Sequence, residues 1–572
     1  MAVECSVEGT VAEAPFTLRI HRGEGMALLA MNWRTGQPPD EFVGFAIEYQ
    51  EPGGTAFFAV KNRLTFEGSA GSLPPASRPP SFSTLVAPIQ KFRWVHFPFN
   101  ADLPGLFTYR VTPIMMNAAG EVSQGVAQIA SLELARETYP GVLNVAFTRG
   151  FVSSQAFVDR YIAQGPISTL LPASSKGGLT FVPTHPQAAE AYKWMGFEAH
   201  AEILAALDAA IADPAAQVGI VAYDFDLPEI VDRVKQLGKD RVRVIIDDSG
   251  AHHGGGASED GAEAALTALG IPVKRQHMSS LQHNKTLYVD GPTLQRVICG
   301  STNMSWRGLF VQSNNAVIVR GAGAVAIFKA AFDQYWDHPD SFPTSPSASW
   351  TPFGLDGVDA SIAFSPHAKA NSVLNGIATD IAGAGSSIFY SLAFLSTTPG
   401  VIRDALAAQT SKPNLFVAGI SDKRTGIAVA SGSSNAPPTF VEPLDKDVPP
   451  PFSAEPTGLV GSVGTRMHHK FIVIDFNTPN ARVYLGSYNM SKAADGSNGE
   501  NLVLIKDGRV ATSYMVEALS MIDHYEFRVA QKDATKRKAT LQLKRPPAAG
   551  ETAWWSEDWT DPRKINDRLL FA

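Results

Sequence analysis

The feature that most constrains this chain is one residue pattern that occurs twice. Residues 283–290 and residues 468–475 both read His-x-Lys, four mostly apolar residues and Asp. Each copy is followed by the hexapeptide Gly-Ser-x-Asn-Met-Ser, at residues 300–305 and 486–491. Because so long a pattern hardly recurs by chance, we expect one structural unit to be present twice, with half of one active site in each copy.

The spacing inside the pattern predicts which side chains act together. The apolar residues after His283 and Lys285 are typical of a strand, and side chains two residues apart on a strand share a face. Asp290 has the opposite parity, so it is predicted to be a structural hydrogen-bonding residue rather than a catalyst. The equivalent residues of the second copy are His468, Lys470 and Asp475.

The hexapeptides add a neutral hydrogen-bond donor to each half. Asn303 and Asn489 follow a second apolar run, so a neighbouring strand is expected to bring each of them beside His and Lys. Ser301 and Ser487 are assigned supporting roles. Two facing halves then suit an anionic phosphodiester. One neutral His attacks phosphorus, a protonated His gives its proton to the leaving oxygen, and the lysines and asparagines hold the remaining oxygens.

These motifs resemble those of the phospholipase D superfamily, and the resemblance extends over residues 140–572. The resemblance implies a covalent phosphohistidine intermediate, turnover without a metal or other cofactor, and one active site between two similar halves. It also implies that His283, the histidine of the first motif, is the nucleophile. The spacer between Asp and Gly is longer than the family's usual spacing, which suggests a wider hairpin.

The substrate is predicted less sharply than the reaction. Hydrolysis of a phospholipid, with transfer to an alcohol as a second outcome, is the preferred function. Residues 486–505 also resemble the small bacterial endonucleases of the same superfamily, which makes cleavage of DNA or RNA the first alternative. A noncatalytic binding or scaffold protein is the second alternative, although both histidines and both lysines are present.

A gapless count predicts what lies behind each histidine. Glu500 follows Gly486 at the same distance at which Asn314 follows Gly300. In the family an acidic residue here often hydrogen-bonds the catalytic histidine, so we expect Glu500 behind His468 and Asn314 behind His283. A carboxylate stabilises an imidazolium, which would suit His468 to protonate the leaving oxygen and leave His283 neutral and free to attack.

The rest of the sequence predicts an α/β protein in which two pseudo-symmetric halves with mixed sheets follow an N-terminal β-sandwich. Residues 1–138 have short alternating runs and resemble a fibronectin type III or immunoglobulin-like domain, with Tyr109 in the place of its tyrosine corner. The halves are predicted over residues 139–345 and 346–572, with residues 337–352 as their Pro- and Ser-rich linker. The tail tryptophans, which are predicted to pack across the catalytic body, are Trp554, Trp555 and Trp559.

Smaller segments carry further predictions. Residues 179–182 are predicted as a strand and residues 200–211 as a helix. Residues 247–260 and 421–466 are irregular and are interpreted as lids or binding loops. No ligand pattern of cysteines and acids supports a metal at His252 and His253. The acidic residues interpreted as strand-end caps are Asp224, Asp226, Asp247 and Asp248.

Composition limits the partners and the compartment. The net charge of −7 gives no global basic field, which weighs modestly against tight nonspecific DNA binding. With only Cys5 and Cys299, no disulfide framework is expected. We find no secretory signal and no apolar run of about 18 residues. The expectation is therefore a cytoplasmic monomer with an internal pseudo-dimer and peripheral contact with its lipid, while a specialised export route stays open.

Overall fold

The computed structural model describes residues 5–67, 81–150, 157, 160–173, 175–393, 395, 398–423, 426–430, 440–441, 467–536 and 541–572. The predicted loop over residues 421–466 lies mostly outside this range. A search of the described residues found no helix that is both long enough and apolar enough to cross a membrane.

Two antiparallel sheets form the N-terminal part of the chain, as predicted. One has the strand order β1-β2-β3-β8, and the other has the order β10-β9-β4-β5 with β11 also paired to β9. Strands β6 and β7 pair with each other. The strands are β1 (Ser6–Glu8), β2 (Phe16–Gly23), β3 (Met26–Trp33), β4 (Phe42–Gln50), β5 (Phe58–Ala59), β6 (Lys61–Asn62), β7 (Phe82–Ser83), β8 (Arg93–His96), β9 (Leu106–Met116), β10 (Val122–Gln124) and β11 (Gln128–Glu133).

Strand β3 joins this sandwich to the rest of the molecule. Alternate side chains of a strand point to opposite faces. Leu29 accordingly belongs to the sandwich core, whereas Leu28 belongs to the core that both catalytic halves share. Tyr109 is buried in the sandwich with its hydroxyl 3.1 Å from Nδ1 of His96, so it contacts a side chain and not the backbone that a tyrosine corner uses.

The first catalytic half is a seven-stranded mixed sheet with the order β12-β18-β17-β16-β13-β14-β15. Strands β13, β14 and β15 are parallel, and the remaining pairs are antiparallel. The strands are β12 (Leu143–Phe147), β13 (Gln217–Ala222), β14 (Val242–Asp247), β15 (Val273–Gln276), β16 (Thr286–Asp290), β17 (Gln295–Gly300) and β18 (Asn315–Arg320).

The second half is a nine-stranded mixed sheet with the order β19-β20-β27-β26-β25-β21-β22-β23-β24. Its segment β20-β27-β26-β25-β21-β22 repeats the order β12-β18-β17-β16-β13-β14 of the first half, which is the duplication that the motifs predicted. The strands are β19 (Thr351–Pro352), β20 (Asp359–Ser365), β21 (Ser387–Leu392), β22 (Phe416–Lys423), β23 (Gly426–Ala430), β24 (Phe440–Val441), β25 (Lys470–Ile474), β26 (Arg482–Gly486) and β27 (Glu500–Lys506).

Helices cover these sheets and close a common core. Val317 of the first sheet, Phe471 of the second and Leu519 of the long C-terminal helix belong to one buried apolar cluster. The mixed α/β class with an N-terminal sandwich is thus confirmed, whereas the exact domain boundaries stay a prediction. The α-helices are Ala188–Ala212, Pro228–Leu237, Ser258–Thr267, Trp306–Phe310, Ala322–Asp337, Leu374–Ala382, Val401–Gln409, Lys492–Gly496, Gly508–Lys536, Glu557–Thr560 and Pro562–Phe571. The 3₁₀ helices are Ile162–Gln164, Ile167–Thr169, Ser175–Thr180, Pro339–Thr344 and Pro346–Ala348.

Two local predictions were wrong. Residues 179–182 form no strand, because Gly178 accepts a hydrogen bond from the Trp306 indole and Phe181 packs edge-on against the same ring. The tail tryptophans pack mainly into the sandwich core and not across the catalytic body. Trp554 stacks on Phe92 and donates its indole N–H to the carbonyl oxygen of Phe42 at 2.9 Å.

Candidate active site

The two motif histidines lie at the start of equivalent strands and face each other. His283 comes just before β16 and His468 just before β25, and their ring centroids are 6.4 Å apart with an angle of 68° between the rings. Their exposed fractions are only 5% and 6%. The two halves therefore contribute one imidazole each to a single buried centre.

Short parallel bridges between the halves create this arrangement. Gln282 bridges to Gly499, and Ser313 bridges to Met467. Each bridge places the residue before one motif histidine next to the chain that enters the last strand of the other half. The side chain that follows this entry point, Asn314 or Glu500, then reaches the histidine of the opposite half.

The residues behind the histidines are consequently exchanged relative to our prediction. Nδ1 of His283 lies 2.8 Å from a carboxylate oxygen of Glu500, and Nδ1 of His468 lies 2.8 Å from the amide oxygen of Asn314. The count along the sequence identified the right two residues but assigned them to the wrong histidines. It assumed that each half supports its own histidine, whereas the bridges connect each histidine to the other half.

The hexapeptide serines hold these two supporting residues in place. Ser487 donates its hydroxyl hydrogen to Glu500 at 2.6 Å, and Ser301 donates to the Asn314 amide oxygen at 2.9 Å. Asn314 also donates from its amide nitrogen to the carbonyl oxygen of Gly308 at 2.7 Å, which fixes the direction of the amide. Both acceptors therefore present an oxygen to a histidine Nδ1.

An acceptor at Nδ1 determines which tautomer a neutral histidine adopts. Nδ1 carries the proton, and the lone pair is left on Nε2. Burial lowers the pKa of His283, and the charge of Glu500 opposes this shift. Burial, followed by the charges of Lys470 and Lys285, holds the pKa of His468 well below its usual value. Both rings are therefore neutral in the free protein at pH 7, with Nε2 able to accept a proton or attack.

Both motif lysines are buried and fold back onto their own histidines. Nζ of Lys285 donates to the carbonyl oxygen of His283 at 2.6 Å, and Nζ of Lys470 donates to that of His468 at 2.7 Å. Burial lowers the pKa of Lys285 to about 8 despite the nearby carboxylate of Glu500. Each ammonium group has three N–H donors, one of which the histidine carbonyl takes.

The two asparagines differ in their surroundings. Asn303 donates its amide hydrogen to Asp224 at 2.6 Å. The amide oxygens of Asn303 and Asn489 are both buried and have no hydrogen-bond partner among the residues that the structure describes. An amide oxygen only accepts hydrogen bonds, so these two atoms need a donor such as water, and a phosphate oxygen would have to be bound by the amide N–H groups instead.

The motif aspartates lie away from the histidines. Asp475 accepts hydrogen bonds from the backbone N–H groups of Gly385, Ser386 and Ser387 at 2.7 to 3.1 Å. Asp290 forms an ion pair with Lys329 at 3.0 Å. Both carboxylates therefore make the structural contacts that their parity predicts.

Tyr223 and His252, neither of which was predicted to take part, pack against the first-half side of the centre. The Tyr223 ring is 4.6 Å from the His283 ring, and Lys285 Nζ is 4.7 Å from the Tyr223 centroid. His252 also packs edge-on against Tyr223, with the ring centroids 4.2 Å apart. The sequence signal for Tyr223 was its position immediately after β13, beside the strand that carries Lys285.

His252 connects two of the carboxylates that were interpreted as strand-end caps. Its Nδ1 lies 2.8 Å from Asp247 and its Nε2 lies 2.9 Å from Asp224. Burial opposes protonation, but these two hydrogen bonds raise the pKa of His252 to about 10. Among the described residues, Asp224, His252 and Glu259 are grouped closely enough to hold a metal ion. A metal there would have to displace a proton that these hydrogen bonds hold on His252, and independence from metal stays a prediction.

The residue between His and Lys in each motif joins the two halves. The amide oxygen of Asn284 accepts a hydrogen bond from Asn501 at 2.8 Å. In the second motif, Nδ1 of His469 lies 3.3 Å from the amide nitrogen of Asn315, and its Nε2 lies 3.0 Å from Glu517. The Asn284–Asn501 and His469–Asn315 contacts occupy equivalent positions in the two halves. Each motif therefore contributes to the interface between the halves as well as carrying the reactive groups.

Two imidazoles and two ammonium groups, one of each from either half, thus meet in one buried centre. The family model described as cardiolipin synthase, PLD-like domain, matches residues 207–336 and 383–522, which contain both motifs. The chain belongs to the phospholipase D superfamily. Its coarse activity is accordingly that of a phosphodiesterase of this superfamily.

Several solved structures are similar to parts of the chain. Polyphosphate kinase from Porphyromonas gingivalis is 9% identical with a TM-score of 0.37, and the match covers 55% of this chain but only 44% of the kinase. Nuc from Salmonella typhimurium, a phospholipase D family member, is 25% identical over 24% of this chain and 87% of its own, with a TM-score of 0.21. Phosphatidylserine synthase from Haemophilus influenzae Rd KW20 is 12% identical over 66% and 93% of the chains, with a TM-score of 0.39. No curated protein matches the chain.

Proposed function

We propose that this protein is a metal-independent phosphodiesterase of the phospholipase D type that acts on a phospholipid through a phosphohistidine intermediate. The observation that carries the proposal is the pair of facing imidazoles, each fixed at Nδ1 by a side chain of the opposite half. This pairing leaves Nε2 of each ring without a proton, one from each half of a buried, cation-lined centre. An in-line displacement at phosphorus needs a nucleophile and an acid placed on opposite sides of the phosphate.

In the first step, Nε2 of His283 attacks phosphorus and the bond from phosphorus to the leaving oxygen breaks. His468 gives its Nε2 proton to that oxygen, so the alcohol leaves neutral. The N–H groups of Lys285 and Lys470 bind the non-bridging oxygens as negative charge grows on them. Asn303 and Asn489 add neutral donors to the same oxygens.

In the second step, water enters where the alcohol left. Neutral His468 removes a proton from this water while the water oxygen attacks phosphorus. The phosphorus–nitrogen bond to His283 then breaks. A phosphate monoester leaves, and both histidines return to their starting state. If an alcohol replaces water, the same step transfers the phosphatidyl group to that alcohol.

The assignment of His283 as nucleophile, which the family resemblance first suggested, now has a different physical basis. Phosphorylation at Nε2 gives the ring a positive charge, and the carboxylate of Glu500 at Nδ1 stabilises that charge. His468 has only the neutral Asn314 behind it and two lysines nearby, so it releases a proton readily. The negative charge of a bound phosphodiester offsets these lysines and allows His468 to be protonated before the first step.

A phospholipid is the proposed substrate for two reasons. The matching family model is described by an enzyme of phospholipid synthesis. The net charge of −7 also provides no overall attraction for a polyanion such as DNA. Both reasons bear only on the choice of substrate, because the proposed two-histidine reaction is the same for any phosphodiester.

Turnover of three substrates by the full chain tests the proposal. Phosphatidylglycerol vesicles, single-stranded DNA and soluble bis(p-nitrophenyl) phosphate should be compared with and without EDTA, with His283→Ala as the inactive control. We expect the lipid to be cleaved at the same rate with and without EDTA, and likewise the soluble diester. Cleavage of DNA but not of the lipid would mean that the substrate is a nucleic acid. No turnover of any of the three would favour a noncatalytic scaffold. If EDTA stopped cleavage of the soluble diester and only a divalent ion restored it, the metal-independent mechanism would be wrong.

A further inference from the structure

A cavity of about 290 Å³, apart from the two-histidine centre, lies between the N-terminal sandwich and the helix Ala188–Ala212 of the first half. Its walls include Phe99 of the sandwich, Trp194 and Phe197 of the helix, and the guanidinium group of Arg149. None of the motif residues lines it. Its volume is close to the lower limit of small-molecule sites, which suits one ring or a short chain.

Arg149 is unusual because it is buried without a hydrogen-bonded partner. Its exposed fraction is 7%, and its Nε is buried and unpaired. Among the described residues, no oxygen accepts a hydrogen bond from this guanidinium and no carboxylate forms an ion pair with it. Burial lowers the pKa of Arg149 to about 10, so the group still carries its charge at pH 7. A buried cation without an anion is costly, which makes the cavity a place where an anion would be stabilised.

The carboxyl group of Glu198 does not fill this role. It lines the same cavity, and one of its oxygens is buried and unpaired. Burial, followed by the charge of Glu24, raises the pKa of Glu198 well above its usual value. Among the described residues, Glu198 forms neither a hydrogen bond nor an ion pair with Arg149, and its raised pKa means that it ionises less readily than an ordinary glutamate. Two other acids act on Arg149: Asp102 is exposed and pairs with Lys193 at 2.7 Å, and Glu517 lies 3.0 Å from Nε2 of His469.

Aromatic rings cover the faces of the Arg149 guanidinium. The charge lies 4.0 Å from the centroid of Phe197, 5.3 Å from that of Trp194 and 5.8 Å from that of Phe97. Cation–π contacts use the faces of the planar group, whereas its N–H bonds point outward in the plane. The rings thus hold the group without using the N–H edge that binds carboxylates and phosphates through two parallel hydrogen bonds.

The backbone of Phe197 is strained in a way that supports a built site. Its φ of 43° and ψ of −132° interrupt the helix Ala188–Ala212, and such a conformation is unfavourable for a bulky side chain. The kink places the Phe197 ring over Arg149 and against Gly25, where a Cβ atom would come within 2.2 Å of the ring. A second cation, Arg160, lies 3.9 Å from the Phe99 ring in the same wall.

We infer that this cavity is a binding site for a small amphipathic anion, in which a phosphate or carboxylate head meets the N–H edge of Arg149 and a flat apolar body lies among Trp194, Phe197 and Phe99. The site is separate from the proposed reaction and does not depend on its chemistry.

Calorimetric titration of the full-length chain tests the inference with phenyl phosphate, benzoate, inorganic phosphate, dioctanoyl phosphatidate and phenol. Since phenyl phosphate also fits a phosphodiester centre, the titrations should use the His283→Ala/His468→Ala variant. We expect phenyl phosphate or benzoate to bind with one site per chain, inorganic phosphate to bind more weakly, and phenol not to bind. Phosphatidate binding without phenyl phosphate binding would limit the site to lipid anions.

Arg149→Gln in the same background should weaken binding at least tenfold, because it removes the charge and the paired N–H groups. Arg149→Lys, which keeps the charge, should restore only part of the affinity. Arg568 is the matched control, since it is also buried and lies 4.0 Å from the Trp559 ring but already donates to the carbonyl of Asp558. Arg568→Gln should leave binding unchanged. Equal affinity with and without Arg149, or no anion binding by the parent variant, would overturn the inference even if Arg149→Gln failed to fold.

Discussion

The two catalytic halves have the same strand order and the same motif, yet they supply different partners to each other. The second half gives His283 a carboxylate, and the first half gives His468 an amide. A duplicated unit that kept both partners identical would have two equivalent imidazoles. Exchanging one carboxylate for an amide makes the two proton affinities different, which is what a nucleophile and an acid need.

The halves also differ in the wall beside each histidine. Pairing with the motif strands aligns Ile220 of β13 with Tyr390 of β21, so Tyr223 corresponds to Ala393. Arg307, whose charge acts on His468, corresponds to Ala493 in the gapless motif alignment. The first half therefore surrounds the centre with an aromatic ring and an extra cation where the second half has two methyl groups. The substrate consequently meets two different sides.

The largest expected effect comes from removing either imidazole, because each half contributes one to a single centre. His283→Ala and His468→Ala should each lower kcat/KM for a soluble phosphodiester by at least about 10⁴-fold. Initial rates with bis(p-nitrophenyl) phosphate measure this. His253→Gln, at an exposed histidine, should leave the rate unchanged. A large loss in one alanine variant only would mean that the halves do not share the reaction.

Removing a motif lysine should be the next largest effect, at roughly 10³-fold for Lys285→Ala or Lys470→Ala, because a buried ammonium group faces the charge of the transition state. Lys285 adds a pH dependence. With its pKa at about 8, it loses its charge as the pH rises through that value, so kcat/KM should fall on the alkaline side. Lys285→Arg should move this fall to higher pH. A profile that stays flat to pH 10 would contradict the role of Lys285.

Exchanging the supporting residues tests the difference between the halves directly. Glu500→Gln should lower kcat/KM by about 10- to 100-fold, because the positive phosphohistidine loses its carboxylate. The carboxylate raises the pKa of His283 against burial, so its removal should also shift the acid limb of the pH profile to lower pH. Asn314→Asp should instead raise the pKa of His468. Phosphate trapped by rapid quench and mapped by mass spectrometry should be on His283, and phosphate on His468 would reverse the assignment.

The sequence predicted the components of this site better than their pairing. Motif duplication and strand parity identified both histidines, both lysines and the face that they share, since these depend on local spacing. The partners at Asn314 and Glu500 were identified but assigned to the wrong histidines. Their assignment depends on the bridges of Gln282 to Gly499 and Ser313 to Met467, which form between halves and leave no local pattern. Tyr223 had a signal in its position directly after β13, whereas His252 lies in an irregular loop that only tertiary packing within the first half brings to Tyr223.

A smaller effect is expected from the acidic network around His252 in the first half. Asp224→Asn removes the charge that holds Asn303 and one partner of His252, so kcat/KM should fall by about tenfold. Asp232→Asn is a matched change at a largely exposed ion pair and should have no effect. Steady-state rates with a soluble diester distinguish the two. An unchanged rate in Asp224→Asn would show that Asn303 keeps its orientation without this carboxylate.

The smallest effect on catalysis is expected at the two motif aspartates, where the halves differ in stability instead. Asp475 is 5% exposed and accepts hydrogen bonds from three consecutive backbone N–H groups, so Asp475→Ala should lower the free energy of unfolding by about 3 kcal/mol. Asp290 and its partner Lys329 are both partly exposed, and Asp290→Ala should cost less than about 1 kcal/mol. Urea unfolding measures the difference, and kcat of each folded variant should match the parent. A loss of kcat in Asp290→Ala without a loss of stability would mean that this aspartate acts on the reaction and that strand parity misassigned it.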